Sequence, residues 1–167
     1  MHCQKQTTLL KTTRDKTSEK YFFKYAFPCA QAKLKLGSLS PEQYKKLKET
    51  FLKNDTPTKE TLEEVFAPAF RRIKKLSNEE WDIEVLKKYW RENHNEIINQ
   101  GDGMYGLAPE EFNDLCKIHE AEIIEKHQNK LIVKYNNKTR TVLNFLVPDA
   151  NIGDKVTIHF AFAIEKI

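Results

Sequence analysis

The residues in this chain that could do chemistry of their own gather in its C-terminal third: Cys116, Lys117 beside it, His119 three positions on, and His159 further downstream. A thiolate is a strong nucleophile and a soft metal ligand, and a nearby ammonium or imidazolium lowers the thiol pKa. Cys116, Lys117 and His119 are residue types suited to that. Cys116 and His119 also stand at Cys-x-x-His spacing, half of a metal site, although two ligands fall short of the four that a structural zinc takes. The plain readings remain open beside these. Cys116 can be a small buried apolar residue at a junction, and His159 a histidine satisfied within the fold. No serine, cysteine or threonine is paired with a base at recognisable spacing, and no two carboxylates stand as an acid–base pair, so the reading is non-enzymatic, with no catalytic residue assigned. Gln100 to Gly106 (QGDGMYG) has three glycines in seven residues, but no strand precedes it and no lysine follows, which leaves a hinge rather than a phosphate cradle.

These residues need elements to hold them. In the last stretch, Asn151 to Asp154 reads as a turn with Gly153 free to take positive φ, and from Val156 the side chains alternate. Val156, Ile158, Phe160, Phe162 and Ile164 fall on one face, with His159 on the other, less apolar one, the period of a half-buried strand. Three further strands are expected at Ile118–Glu125, Leu131–Tyr135 and Thr139–Val147, with Asn136 and Asn137 as a hairpin turn. Four strands cannot bury two faces and leave their edges open, so a small OB-like barrel is expected.

Upstream the period is helical. Ser18–Leu36 carries Phe22, Tyr25, Ala26, Cys29, Ala32 and Leu36 at helical spacing, with Pro28 predicting a kink or a helix start near Phe27. Ser40, Pro41 and Gln43 form a capping box, and Tyr44, Leu47 and Phe51 the buried face behind it. One apolar stripe runs from Leu62 to Leu76, bent at Pro68. Ser77 with Glu80 predicts a second capping box, opening a helix that buries Trp81, Val85, Leu86, Tyr89, Trp90 and Ile97, with His94 in solvent. The class is therefore α+β: a flexible basic tail at 1–17, a helical bundle at 18–113 and a barrel at 114–167.

The 167 residues carry a formal charge of +4, spread as 20 basic against 17 acidic side chains before Asp114 and 8 against 7 from there on, which is no electrostatic footprint for nucleic acid. No apolar run approaches the roughly 20 residues that span a bilayer, and no signal peptide is seen. Three cysteines without a CxxC pair suit a reducing compartment, so a cytoplasmic location is expected.

The C-terminal third, residues 115–167, resembles the HypC/HupF family of small chaperones in NiFe hydrogenase maturation. Cys116, Ile123, Ile124 and Glu125 match the opening of that barrel, and Val147, Pro148, Asp149, Gly153, Asp154, Val156, His159, Phe162, Ala163 and Ile164 match its close. The chain departs from the pattern where Cys116 is internal rather than next to the initiator methionine, in Lys117–Ala121, and at Ala161, where the family has glycine. The resemblance implies a chaperone that carries iron, transiently, as an Fe(CN)2CO group. Cys116 and His159 would be its metal residues, with His119 a further candidate. Cys116, Lys117, Pro148 and Phe162 would meet partners: a HypD-like scaffold protein and the hydrogenase large-subunit precursor. The competing expectation is an OB-like module that binds nucleic acid or protein and has lost iron handling. It would use Lys134, Tyr135, Lys138 and Arg140 as a basic, aromatic face.

Overall fold

Prolines set the breaks among the first helices. The computed structural model describes residues 16–167, and in it the run around Pro28 is a helix over 16–26 (α1), a 3-10 turn at Phe27–Cys29, and a helix at Ala30–Lys35 (α2). Pro28 has no N–H to give an interior helical ladder, so the chain re-nucleates there. Most of the expected tail, Cys3 included, lies outside the described residues, while 16 and 17 already belong to α1.

Helix α3 (Pro41–Leu52) opens with the expected capping box: Gln43 N–H donates to Ser40 Oγ at 3.1 Å and Ser40 N–H to Gln43 Oε1 at 2.9 Å. The stripe that follows divides at Phe66 into α4 (Lys59–Val65) and α5 (Ala67–Leu76), because Pro68 fits only the first turn of a new helix. The second expected box does not form. Ser77 Oγ accepts from Glu79 N, and α6 (Ile83–Lys88) starts later, with Asp82 accepting from Glu84 N and Val85 N. Trp81 is thereby kept out of the helix; its ring packs 4.8 Å from Phe70 and its Nε1 donates to Glu63 at 2.7 Å.

The described residues form two compact units, one ending at Tyr89 and the other beginning at Trp90. Aromatic pairs hold the first: Phe22 lies 4.5 Å from Phe70, and Phe27 stacks on Phe51 at 4.1 Å. Such pairs add about 0.5–1.5 kcal/mol beyond their buried area.

A π-helical turn, Tyr89–Asn93, begins at the last residue of the first unit and leads into α7 (His94–Asn99) of the second. The extra residue in a π turn rotates everything after it around the helix axis. The buried position thus moves from Ile97 to Ile98, and His94, four residues after the buried Trp90, is buried as well, contrary to the expectation of Ile97 inside and His94 in solvent. The glycine-rich stretch folds into a 3-10 turn at Gly103–Gly106, where a Cβ on Gly106 would sit 2.8 Å from the Gly101 carbonyl. Helix α8 (Glu110–Cys116) follows.

Five strands close the barrel: β1 (His119–Lys126), β2 (Lys130–Tyr135), β3 (Lys138–Leu143), β4 (Lys155–His159) and β5 (Phe162–Lys166), in the order β1-β2-β3-β5-β4. All pairs are antiparallel except β3 with β5, and β1 pairing with β4 closes the ring. Asn136 and Asn137 take φ of 45° and 58° in the β2–β3 turn, and Gly153 takes 91°, as their residue types allow. The core is Ala121, Ile123, Leu131, Val133, Tyr135, Val142, Val147, Ala150, Val156, Ile158 and Ala163.

Two strand expectations need correcting. The third ends at Leu143 rather than Val147, and the backbone then turns twice, Val147 N–H to Asn144 O and Ala150 N–H to Val147 O. The fourth is a hairpin. His159 pairs with Phe162 across Phe160 and Ala161, with Phe160 at φ 50°, the positive first turn position of a II′-like connection. Among the described residues no helix is long and apolar enough to cross a membrane.

Candidate functional site

The last turn of a helix leaves carbonyls that its own ladder cannot satisfy. In α8 each has found a partner. Lys117 N–H donates to Asn113 O at 3.0 Å. His119 Nε2 lies 3.0 Å from Asp114 O, Phe160 N–H donates to Leu115 O at 3.0 Å, and His94 Nε2 lies 2.9 Å from Cys116 O. A carbonyl only accepts, so both histidines carry their proton on Nε2. Asn95 completes the clamp, accepting from Ile118 N–H at 2.8 Å and donating to Ile118 O at 2.7 Å.

This clamp brings Cys116 and His159 into one neighbourhood, since Leu115 and Phe160, their chain neighbours, share a backbone hydrogen bond. On β4, Val156 and Ile158 face the barrel core, so His159 projects from the outer surface. It is nevertheless fully buried: its ring centre lies 5.5 Å from that of His94, 6.1 Å from Trp90 and 5.2 Å from Phe160. Cys116 is 3% exposed, and burial pushes its thiol up to about 12. The thiol is therefore protonated at neutral pH in this conformation, and the flanking Lys117 and His119 do not activate it.

His119 belongs to a second constellation, centred on Asp114. Tyr135 Oη donates to Asp114 Oδ2 at 2.9 Å, His119 Nε2 lies 3.1 Å from Oδ1, and Arg140 Nη2 reaches Oδ2 at 3.3 Å and Tyr135 Oη at 2.6 Å. Lys138 stands at 3.8 Å. The His119 ring packs 4.5 Å from that of Tyr135, and the Arg140 guanidinium lies over the Tyr135 ring at 4.8 Å from its centre. Burial alone would raise the Asp114 carboxyl, but the Tyr135 hydrogen bond and the His119, Lys138 and Arg140 charges outweigh it and hold it below the usual range. Burial lowers His119 despite Asp114 beside it.

The remaining candidates are scattered. Lys117 is half-buried and lines an open groove of about 530 Å³ with Asp114, Lys138, Glu110 and Tyr105. Pro148 is exposed, its carbonyl 3.4 Å from Lys126 Nζ, and Phe162 is half-buried at the β3–β5 contact. Tyr135 and Arg140, two members of the face expected for nucleic acid, are spent on the Asp114 network. Among the described residues no three histidine, cysteine or acidic side chains converge to hold a metal ion.

Sequence reasoning gave Trp90 a core place and His94 a solvated one, neither as part of a site, and gave Asp114 no role. Trp90 and His94 stand one helical turn apart, the spacing that puts two rings on one face, and this was their signal. No family model matches the chain, and no curated protein matches it either.

Proposed function

We propose that this chain is a non-enzymatic chaperone of metallocluster assembly, of the HypC/HupF kind, in which Cys116 receives iron as cargo and hands it on. The observation that carries the reading is the clamp: a closed OB-like barrel, His94, Asn95 and His119 hold the cysteine-bearing end of α8 against the region of His159. On this reading the structure is the protected state. Release of the clamp lets water reach Cys116, its pKa returns towards the ordinary thiol value of about 8.5, and the proton leaves to solvent. The thiolate lone pair is then free to form the bond to an iron centre carrying cyanide and carbon monoxide, a soft acceptor suited to sulfur. His159 lines the same place and steadies the cargo. Lys117 and Pro148, at the surface, meet a HypD-like scaffold and then a NiFe hydrogenase large-subunit precursor, in the cytoplasm.

The test is co-expression with hydrogenase maturation proteins, isolation through a tag on this chain, and infrared detection of the cyanide and carbonyl ligands. Wild-type protein should co-isolate with the scaffold and show those bands. Cys116→Ala should lose the bands with an unchanged circular dichroism spectrum. Bands that persist in a folded Cys116→Ala protein remove the assignment.

A further inference from the structure

About one residue in seven of this chain is acidic, yet two segments of the first unit, 20–41 and 65–78, contain no acid at all. They build α2 and α5. Between them these helices carry Lys33, Lys35, Arg71, Arg72, Lys74 and Lys75. The two elements meet, because Lys33 Nζ lies 5.9 Å from the Phe66 ring that begins α5, and Lys33 feels the Arg72 charge. On α5, Phe70 and Ile73 are buried and Arg71, Lys74 and Lys75 are exposed, as Lys35 is on α2. Among the described residues no ion pair engages Lys35, Arg71, Lys74 or Lys75. Residues 16–89 hold sixteen basic side chains against eleven acidic ones, whereas 90–167 hold nine against twelve, so the cationic excess is a property of the helical unit.

Like charges crowded on one face raise its potential and draw in an anionic partner. The chemistry around the charges narrows the class. Leu36 is 61% and Leu76 43% exposed, one at the end of each basic helix. The aromatics nearest these two helices, Phe22, Phe23, Phe27, Phe66 and Phe70, are buried, and the half-buried Tyr44 and Trp81 pack on Phe27 and Phe70, so the described residues of this face offer no free row of rings for bases to stack on. We propose that the α2–α5 face docks an acidic, leucine-bearing helical segment of a partner protein, carboxylates on the lysines and arginines and aliphatic side chains on Leu36 and Leu76. This inference does not depend on iron handling at Cys116.

The experiment uses the full chain and a fluorescein-labelled amphipathic 18-residue peptide of Glu, Leu and Ala, read by anisotropy. Its comparators are the same peptide with Gln for Glu, a single-stranded oligonucleotide and a short duplex. Expected is saturable binding of the Glu peptide that weakens with salt, and none of the Gln peptide. The double variant Arg71→Glu/Lys75→Glu should lower affinity at least tenfold, whereas Lys45→Glu/Lys48→Glu on α3, with the same change in net charge, should shift it less than twofold. Leu36→Ser/Leu76→Ser should weaken peptide binding several-fold. No peptide binding, equal losses from the α3 and α5 variants, or tighter binding of either nucleic acid than of the peptide would each overturn the assignment.

Discussion

Replacing Asp114 with asparagine keeps the shape of the side chain and removes its charge. The Asp114 carboxylate accepts from Tyr135 at 2.9 Å and from Arg140 at 3.3 Å, and His119 Nε2 lies 3.1 Å from its Oδ1. A hydrogen bond to a charged group is worth about 1.5–3 kcal/mol, so losing two would suggest about 3–6 kcal/mol. Three facts reduce that. The Asp114 side chain is 23% exposed, Arg140 keeps the Phe160 carbonyl and Tyr135 Oη, and asparagine retains one acceptor. The expected cost is about 2–3 kcal/mol, or about 5–10 °C in Tm for a chain of this size. The chain has two tryptophans, one in each unit, so in a Trp81→Phe background Trp90 fluorescence follows the barrel unit alone through urea unfolding. Because the folded pKa of Asp114 lies below its unfolded value, its contribution is present above about pH 3.9 and lost as pH falls through the folded value. His119, whose folded pKa is also depressed, costs stability below about 6.5, and costs more without the Asp114 carboxylate beside it. The gap between wild type and Asp114→Asn should therefore widen from pH 7.5 to about 5 and close below 4. A gap under about 0.5 kcal/mol, or one that persists unchanged into acid, would refute the view that Asp114 anchors this end of the barrel by its charge.

Three further outcomes are expected. His94→Phe leaves the Cys116 carbonyl buried and unsatisfied and should cost about 1–3 kcal/mol, of which His94→Gln, which can still donate, should recover part; equal urea midpoints for the two variants would show that ring packing rather than the hydrogen bond matters. Asn137 sits at φ 58°, so Asn137→Ala should destabilise by about 1 kcal/mol and Asn137→Gly should not, measured by the same unfolding assay. Iodoacetamide at pH 8 should label Cys29, which is partly exposed, well before Cys116, which is buried with its thiol near 12; peptide mapping by mass spectrometry that finds Cys116 modified first would contradict the closed clamp.

The elements best legible in the sequence are those whose geometry only certain residues allow. The Ser40–Gln43 box, the paired asparagines at 136 and 137 and the glycine at 153 each announce a backbone conformation, and the structure has each in place. The hairpin at Phe160 announces nothing, because a phenylalanine rather than a glycine takes the positive φ. Apolar residues also continue across it, since Ile164 on β5 is buried without joining the barrel core. His94 was hidden for another reason. Charged neighbours marked it as solvated, although it stands four residues after the buried Trp90 and packs on that ring. The acid–base partners of Asp114 come from β1, β2 and β3, so no local spacing could reveal them. Cys116 and His159 were visible as residue types, and their neighbourhood follows from one backbone bond between Leu115 and Phe160.

The clamp also sets the terms on which Cys116 could work. Freeing it breaks the bonds from His119, Phe160 and His94 to α8 and the two from Asn95 to Ile118. At about 0.5–1.5 kcal/mol net for each, opening costs about 3–7 kcal/mol. The open form is then under about 1% of molecules at rest, which keeps the thiol from oxidants. A partner that binds only the open form must supply that difference from its own contacts. On the proposed reading transfer would thus be conditional on the partner, since the sulfur would become a ligand only while another protein held α8 away. The two histidines that cap α8 serve this arrangement as donors of backbone hydrogen bonds, a role that requires a proton on Nε2. Acid that neutralises Asp114 would free Tyr135 and Arg140 from its charge and weaken the network that holds His119 beside α8.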